Sequence, residues 1–153
     1  MKVGYAYVVA DLIHIGHLKY LQACKSLCDK LIVGILTDGA VMEKKGKPII
    51  SFGERLETIK SLRCVDVAVK QETYSPLPNV KQLHVDIIFE STSHAPEAAA
   101  KAKKVMDKLK GRLIVMPYFA GQSSTAIKNK VLRKWKYREE EHPNLERGQN
   151  DES

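Results

Sequence analysis

Five short apolar runs, separated by stretches of helical periodicity, constrain this chain more than any other feature. They cover residues 2–10, 30–36, 65–69, 85–89 and 112–116. The first two are nearly unbroken runs of Val, Ile, Leu, Ala and Tyr, the pattern of strands covered on both faces. Between the runs, Leu18, Leu21, Cys24 and Cys28 recur at helical spacing from Gly16 onward. Ser51 followed by Glu54 is a capping-box arrangement ahead of a helix over 52–62. Asn79 caps a short helix to residue 83, Pro96 opens one to about residue 110, and a last helix runs from 121–125 to about Trp135. Strand and helix alternating throughout predict an α/β, doubly wound domain built on a five-stranded parallel sheet, with right-handed crossovers.

At 153 residues the chain suffices for one domain with a proper core, expected over residues 1–135. Residues 136–153 are too polar to bury much and are expected to fray or be disordered. No apolar run approaches the about 20 residues of a membrane span, and the N-terminal stretch lacks a signal-peptide pattern, so a cytoplasmic protein is expected. Cys24, Cys28 and Cys64 form an odd, sparse set, which reads as free thiols. The formal net charge of +7 calls for anionic partners. Aromatic content is only 7%, with neither an RNA-reading aromatic strand nor a helix-turn-helix, so compact anionic ligands are favoured over nucleic acid.

The stretch Asp11-Leu12-Ile13-His14-Ile15-Gly16-His17 falls between the first strand and the first helix. In parallel sheets ligands bind at such turns, where backbone N–H groups and the helix dipole face an anion. His14 and His17 are either structural or paired phosphate donors, and Gly16 removes a Cβ where backbone approaches a ligand. Cys24 and Cys28 fall on the core face and lack zinc-ligand spacing, so no resident metal is read from these residues. Asp11 either caps the turn or fixes an imidazole, assists a cation or orients a substrate. Residues 43–48, with Lys44, Lys45 and Lys47, read as a mobile loop, either merely solvated or able to close over a triphosphate. Arg55 is either an exposed helix charge or a forked phosphate contact. Gly121, Gln122, Ser123, Ser124 and Thr125 place three hydroxyls at a helix start, as a cap, a phosphate cradle, or both.

In combination these residues resemble the His-x-Gly-His nucleotidyltransferase superfamily, most closely its small cytidylyltransferase branch, over about residues 1–132. His14-Ile15-Gly16-His17 matches the signature, Lys44 and Lys47 the mobile-loop lysines, Arg55 the helix arginine, and 121–125 the end of a second signature. The resemblance implies a Rossmann-like fold and attack by a phosphate oxygen of an acceptor on the α-phosphate of CTP, with Mg²⁺ and release of pyrophosphate. It implies that His14, His17, Lys44 and Lys47 are catalytic. Val9, Ala10, Gly16, Arg55, Gly121, Gln122, Ser123, Ser124 and Thr125 are implied to bind the nucleotide, and Asp11 and Lys44 the acceptor. A homodimer is implied as well. The implied acceptor is a small phosphomonoester or phosphonate of the glycerol 3-phosphate, phosphocholine, phosphoethanolamine or 2-hydroxyethylphosphonate type. Alternatives are an adenylyltransferase of the FAD or dephospho-CoA type and a nucleotide-binding protein with impaired catalysis. Three segments depart from the family pattern. Val8-Val9-Ala10-Asp11 stands for Gly-Thr-Phe-Asp, Tyr118-Phe119-Ala120 for Arg-Thr-Glu, and Glu90-Ser91-Thr92-Ser93 for Gly-Asp-Asp-Trp. Asp11-Leu12-Ile13-His14 and Ser123-Ser124-Thr125 are most similar to the phosphonate-pathway enzymes.

Overall fold

Along β1 (Val3–Val8), Tyr5 and Tyr7 point to one side of the sheet and Ala6 to the other, the period-two alternation of a strand. Both sides are dry, as expected for the run: Tyr5 and Ala6 are fully buried. The computed structural model describes residues 1–117, 119 and 121–141. After β1 come α1 (Ile15–Ser26), β2 (Lys30–Leu36), α2 (Asp38–Met42), α3 (Phe52–Lys60) and β3 (Val67–Gln71). Then follow α4 (Leu77–Leu83), β4 (Ile87–Ser91), α5 (Pro96–Lys108), β5 (Arg112–Met116) and α6 (Ser124–Glu141). The five strands form one parallel sheet in the order β3-β2-β1-β4-β5, with Val3 opposite Lys30 and Gly4 opposite Ile87.

Helices cover both faces. Leu21 and Cys24 of α1 and Ile59 of α3 pack with Ala6, Val33, Ile35 and Phe89 on one side. Ala40 and Val41 of α2, Val80 of α4, and Ala102 and Met106 of α5 pack with Tyr5, Tyr7, Ile32 and Ile88 on the other. The chain winds outward from β1 through β2 to β3, then returns to lay β4 against the free side of β1. That reversal opens a crevice beyond the carboxyl ends of β1 and β4, where open α/β sheets bind ligands. Among the described residues no helix is long and apolar enough to cross a membrane.

The second and fifth strands match their expected bounds, and the others differ locally. β3 and β4 begin two residues later than read, because Asp66 and Asp86 precede them as sheet-edge caps: their carboxylates accept the Leu31 and Val3 N–H groups at 2.7 and 2.8 Å. Thr37 caps α2, a one-turn helix absent from the expected elements. Asn79 lies inside α4 instead of capping it, and donates to Tyr5 Oη and the Lys70 carbonyl. α5 stops at Lys108 because Lys110 adopts a left-handed backbone, φ 57°. α6 continues past Trp135 to Glu141, a stretch free of Gly and Pro. The polar end was expected from 136, so its first six residues are helical, and 142–153 lie outside the described residues.

Candidate active site

The spacing of His14 and His17 is set by how α1 starts. His14 is the N-cap, with extended backbone, and its Nδ1 accepts the Gly16 N–H at 3.0 Å. His17, three residues on, turns its own Nδ1 back to accept the His14 N–H at 3.2 Å. Two imidazoles thus form a reciprocal capping box, a role usually filled by Ser or Thr with Glu or Gln. The rings lie 4.1 Å apart between centroids. A Cβ on Gly16 would sit 2.7 Å from Cε1 and 2.9 Å from Nδ1 of His14, so only glycine leaves room for that ring.

This capping fixes the tautomer. An Nδ1 whose hydrogen-bond partner is a backbone N–H alone carries no proton, so the neutral ring holds it on Nε2. Both rings line the cleft, and among the described residues no partner takes the Nε2–H of either. Burial lowers the pKa of His14, and burial together with the neighbouring His14 ring brings that of His17 down to about 4. Both rings therefore face the cleft as neutral donors.

Around them lies a cleft of about 1110 Å³. Val9, Ala10, Asp11, Gly16, Lys44 and Lys47 line it, as do Gln122, Ser123, Ser124 and Thr125 from the start of α6, while Gly121 is not part of the lining. Ser123 Oγ caps α6 by accepting the Ala126 N–H, and Ser124 Oγ donates to the Leu12 carbonyl, which docks the helix start beside the histidines. Ala10 turns the chain out of β1 with a positive φ of 59°. Asp11 is buried and fully engaged: Oδ1 accepts Ile49 and Ile50 N–H, and Oδ2 pairs with Lys128 at 2.9 Å. Burial pushes its carboxyl up, but the bonds from Ile50, Lys128 and Ile49 outweigh this and hold it below the usual range.

Arg55 corrects the expectation of an exposed charge or a phosphate contact. It is 1% exposed and does not line the cleft. Its guanidinium donates to the carbonyls of Ile50, Val9 and Leu36, at 3.0, 2.7 and 2.7 Å, and to Asp38 at 2.8 Å. It ties the ends of β1 and β2 to α2 and holds the floor under the cleft. The loop over 43–48 is also more ordered at its start than read, because Lys44 and Lys45 N–H both bond the Val41 carbonyl. Lys44 Nζ lies 4.8 Å from the centre of the Tyr74 ring.

The wall on the β4 side holds a polar cluster to whose members the sequence reading assigned no role. Tyr7 Oη donates to Glu90 Oε2 at 2.8 Å, and His94 Nδ1 lies 2.6 Å from the same oxygen. Tyr7 and His94 stack at 5.0 Å and face the cleft. Burial and the Glu90 charge drive the Tyr7 hydroxyl far above its ordinary pKa. Glu90 is buried, and its Oε1 finds no hydrogen-bond partner among the described residues. The available signal was a Glu and a His four apart at the carboxyl end of a strand. Lys128 and Lys101 add two further cations to the lining. Tyr118 and Ala120, where the family pattern has Arg and Glu, lie outside the described residues.

A resident metal does not fit these groups. Among the described residues no three His, Cys, Asp or Glu side chains gather to hold an ion, and both oxygens of Asp11 are taken.

A family model described as Cytidylyltransferase-like matches residues 7–130. The bifunctional protein HldE of Geobacter metallireducens is 33% identical over 134 residues, and that of Trichlorobacter lovleyi 35% over 127. These alignments cover 86% and 82% of this chain but only 27% and 26% of those proteins, so the chain spans about a quarter of their length. Among solved structures, the lipopolysaccharide core biosynthesis protein from Thermoplasma volcanium superposes with a TM-score of 0.67 at 27% identity, covering 78% of this chain and 97% of that one. TmcAL of Thermotoga maritima, at 16% identity, TM-score 0.62, and 91% and 52% coverage, shares the fold.

Proposed function

The chain is a nucleotidyltransferase of the cytidylyltransferase-like family, and on that premise we propose that it transfers CMP from CTP to a small phosphomonoester or phosphonate, releasing pyrophosphate. The observation that carries this reading is the pair of imidazoles capped through Nδ1, each presenting Nε2–H to the cleft. Neutral donors held by backbone stabilise charge that develops on the α-phosphate without having to reorganise. An ionised phosphate or phosphonate is already a nucleophile, so no general base is needed, and catalysis rests on positioning and electrostatics.

The remaining roles follow from place. Lys44 and Lys47 overhang the cleft from the β2 side and neutralise triphosphate and acceptor charge. Gln122, Ser123, Ser124 and Thr125, at the N-terminus of α6, suit the leaving pyrophosphate. Asp11 acts by clasping the turn to residues 49 and 50 and to α6, and Arg55 by supporting the floor. Mg²⁺ enters this proposal as the counter-ion arriving on the triphosphate, as is usual for an ion bound chiefly by substrate phosphates. A homodimer is part of the proposal and is checked by light scattering.

Pyrophosphate release tests the reading directly, with CTP, ATP and Mg²⁺ against phosphocholine, phosphoethanolamine, glycerol 3-phosphate and 2-hydroxyethylphosphonate. Turnover with CTP is expected, and His14→Ala or His17→Ala should each reduce it by roughly 10²-fold. Turnover with ATP alone replaces the base assignment. Nucleotide binding without turnover replaces the enzyme by a binding protein.

A further inference from the structure

Three imidazoles line the cleft, and they are not set alike. His14 and His17 each accept a backbone N–H at Nδ1, which leaves Nε2–H as donor. His94 is held from the opposite chemical side. Its Nδ1 is 2.6 Å from Glu90 Oε2, a separation at which a proton must lie between the two atoms, and imidazole is the stronger base of the pair. The Nδ1 proton therefore points at the carboxylate. Tyr7 Oη, 3.1 Å from the same nitrogen, gives its own proton to Glu90 at 2.8 Å, and the Ser91 N–H reaches that nitrogen at 3.3 Å, a longer contact than the one to Glu90. With Nδ1–H committed, the neutral His94 ring offers the bare lone pair of Nε2. No described group bonds that atom, and the ring, 26% exposed, faces the cleft.

We infer that His94 Nε2, fixed in its acceptor form by Glu90 and Tyr7, recognises a hydrogen-bond-donating group on the bound ligand: the exocyclic amino group of a nucleobase or a hydroxyl of the acceptor. The inference rests on the proposed nucleotide cleft. It adds the distinction that the histidine-capped helix start contacts only ligand acceptors, while the β4 wall contacts a ligand donor. Cytosine and adenine carry such an amino group and uracil carries a carbonyl in its place. A hydroxyalkylphosphonate carries a hydroxyl that a plain alkylphosphonate lacks. Glu90 acts here as a positioning residue, through the ring it orients.

Calorimetric titration at mildly alkaline pH tests this with matched ligands: CTP against UTP, and 2-hydroxyethylphosphonate against ethylphosphonate. The intact chain should favour the donor-bearing member of one pair by about 10-fold or more, the usual consequence of leaving a site's polar group unpaired. The pair that discriminates identifies the source of the donor. His94→Phe keeps a ring and should abolish the preference. Glu90→Gln is nearly isosteric and places an amide that can donate to Nδ1, which moves the ring proton to Nε2; the preference should shrink or reverse. A merely structural Glu90 would not change its sign. Absence of discrimination in the intact chain, or an unchanged preference in both folded variants, overturns the inference. Preference without pyrophosphate release leaves the inference standing and removes the enzymatic reading.

Discussion

Replacing Arg55 by Met separates the two roles open to a basic residue beside the proposed phosphate site. The structure makes Arg55 a buried clamp, so the loss should appear in stability. Removing the guanidinium strands the Leu36 carbonyl, which is buried, and the Val9 and Ile50 carbonyls, which are partly so. A buried acceptor left without its donor costs about 1–3 kcal/mol. Asp38 is 34% exposed and recovers solvation from water, so its ion pair adds little. The Met side chain keeps most of the apolar stem packed, which limits the cavity. A total of about 3–5 kcal/mol follows, lowering Tm by on the order of 10 °C for a chain of this size. Thermal unfolding followed by far-ultraviolet circular dichroism measures it. Arg55→Lys should recover only a fraction, since an ammonium cannot fork to two strand ends and Asp38 together. An Arg55→Met protein with unchanged Tm and a strongly weakened nucleotide affinity would refute the clamp and restore a direct phosphate contact.

Gly16→Ala should cost activity far more than stability, because loss of the His14 cap offsets the helix preference of alanine. Alanine favours the helix by up to about 1 kcal/mol, but its Cβ displaces the His14 ring, and misplacement on that scale costs turnover of order 10²-fold; near-normal kcat would refute the need for ring space. His17 makes the fold acid-sensitive. Its pKa is about 4 in the folded chain against an ordinary 6.5, so the unfolded chain binds the proton first. The stability that this neutral ring contributes is complete above pH 6.5 and is lost as pH falls toward 4. Denaturant midpoints across that window should decline, and more gently in His17→Asn; parallel profiles would refute the assignment.

Much of the architecture was legible because parallel strands buried on both faces leave runs that no helix pattern imitates. Strands 30–36 and 112–116 were read residue for residue. The His14 and His17 site was legible because its geometry is local, a spacing of three across one helix start. Arg55 was misread because its partners are distant in sequence. An arginine on an amphipathic helix looks solvated until the ends of β1 and β2 bring their spare carbonyls beneath it. Glu90 was read only as a departure from the family pattern and His94 was given no role, for a related reason: Tyr7, which joins them, comes from another strand. Short α2 was absent from the expected elements, although Thr37 supplied the cap.

The two ends of the lysine loop impose a tether. On one side the Lys44 and Lys45 N–H groups close on Val41, and Glu43 accepts the Tyr74 N–H; on the other, Asp11 grips Ile49 and Ile50. Among the described residues nothing hydrogen-bonds the main chain of Gly46, Lys47 or Pro48 between them. A span so short, pinned at both ends, can carry its tip no further than roughly half its contour, on the order of 5 Å. Lys44 is therefore held in place beside Tyr74, whereas Lys47 sits on the untied stretch, and in the proposed reaction the order in which the two cations would meet a triphosphate follows from the length of that leash.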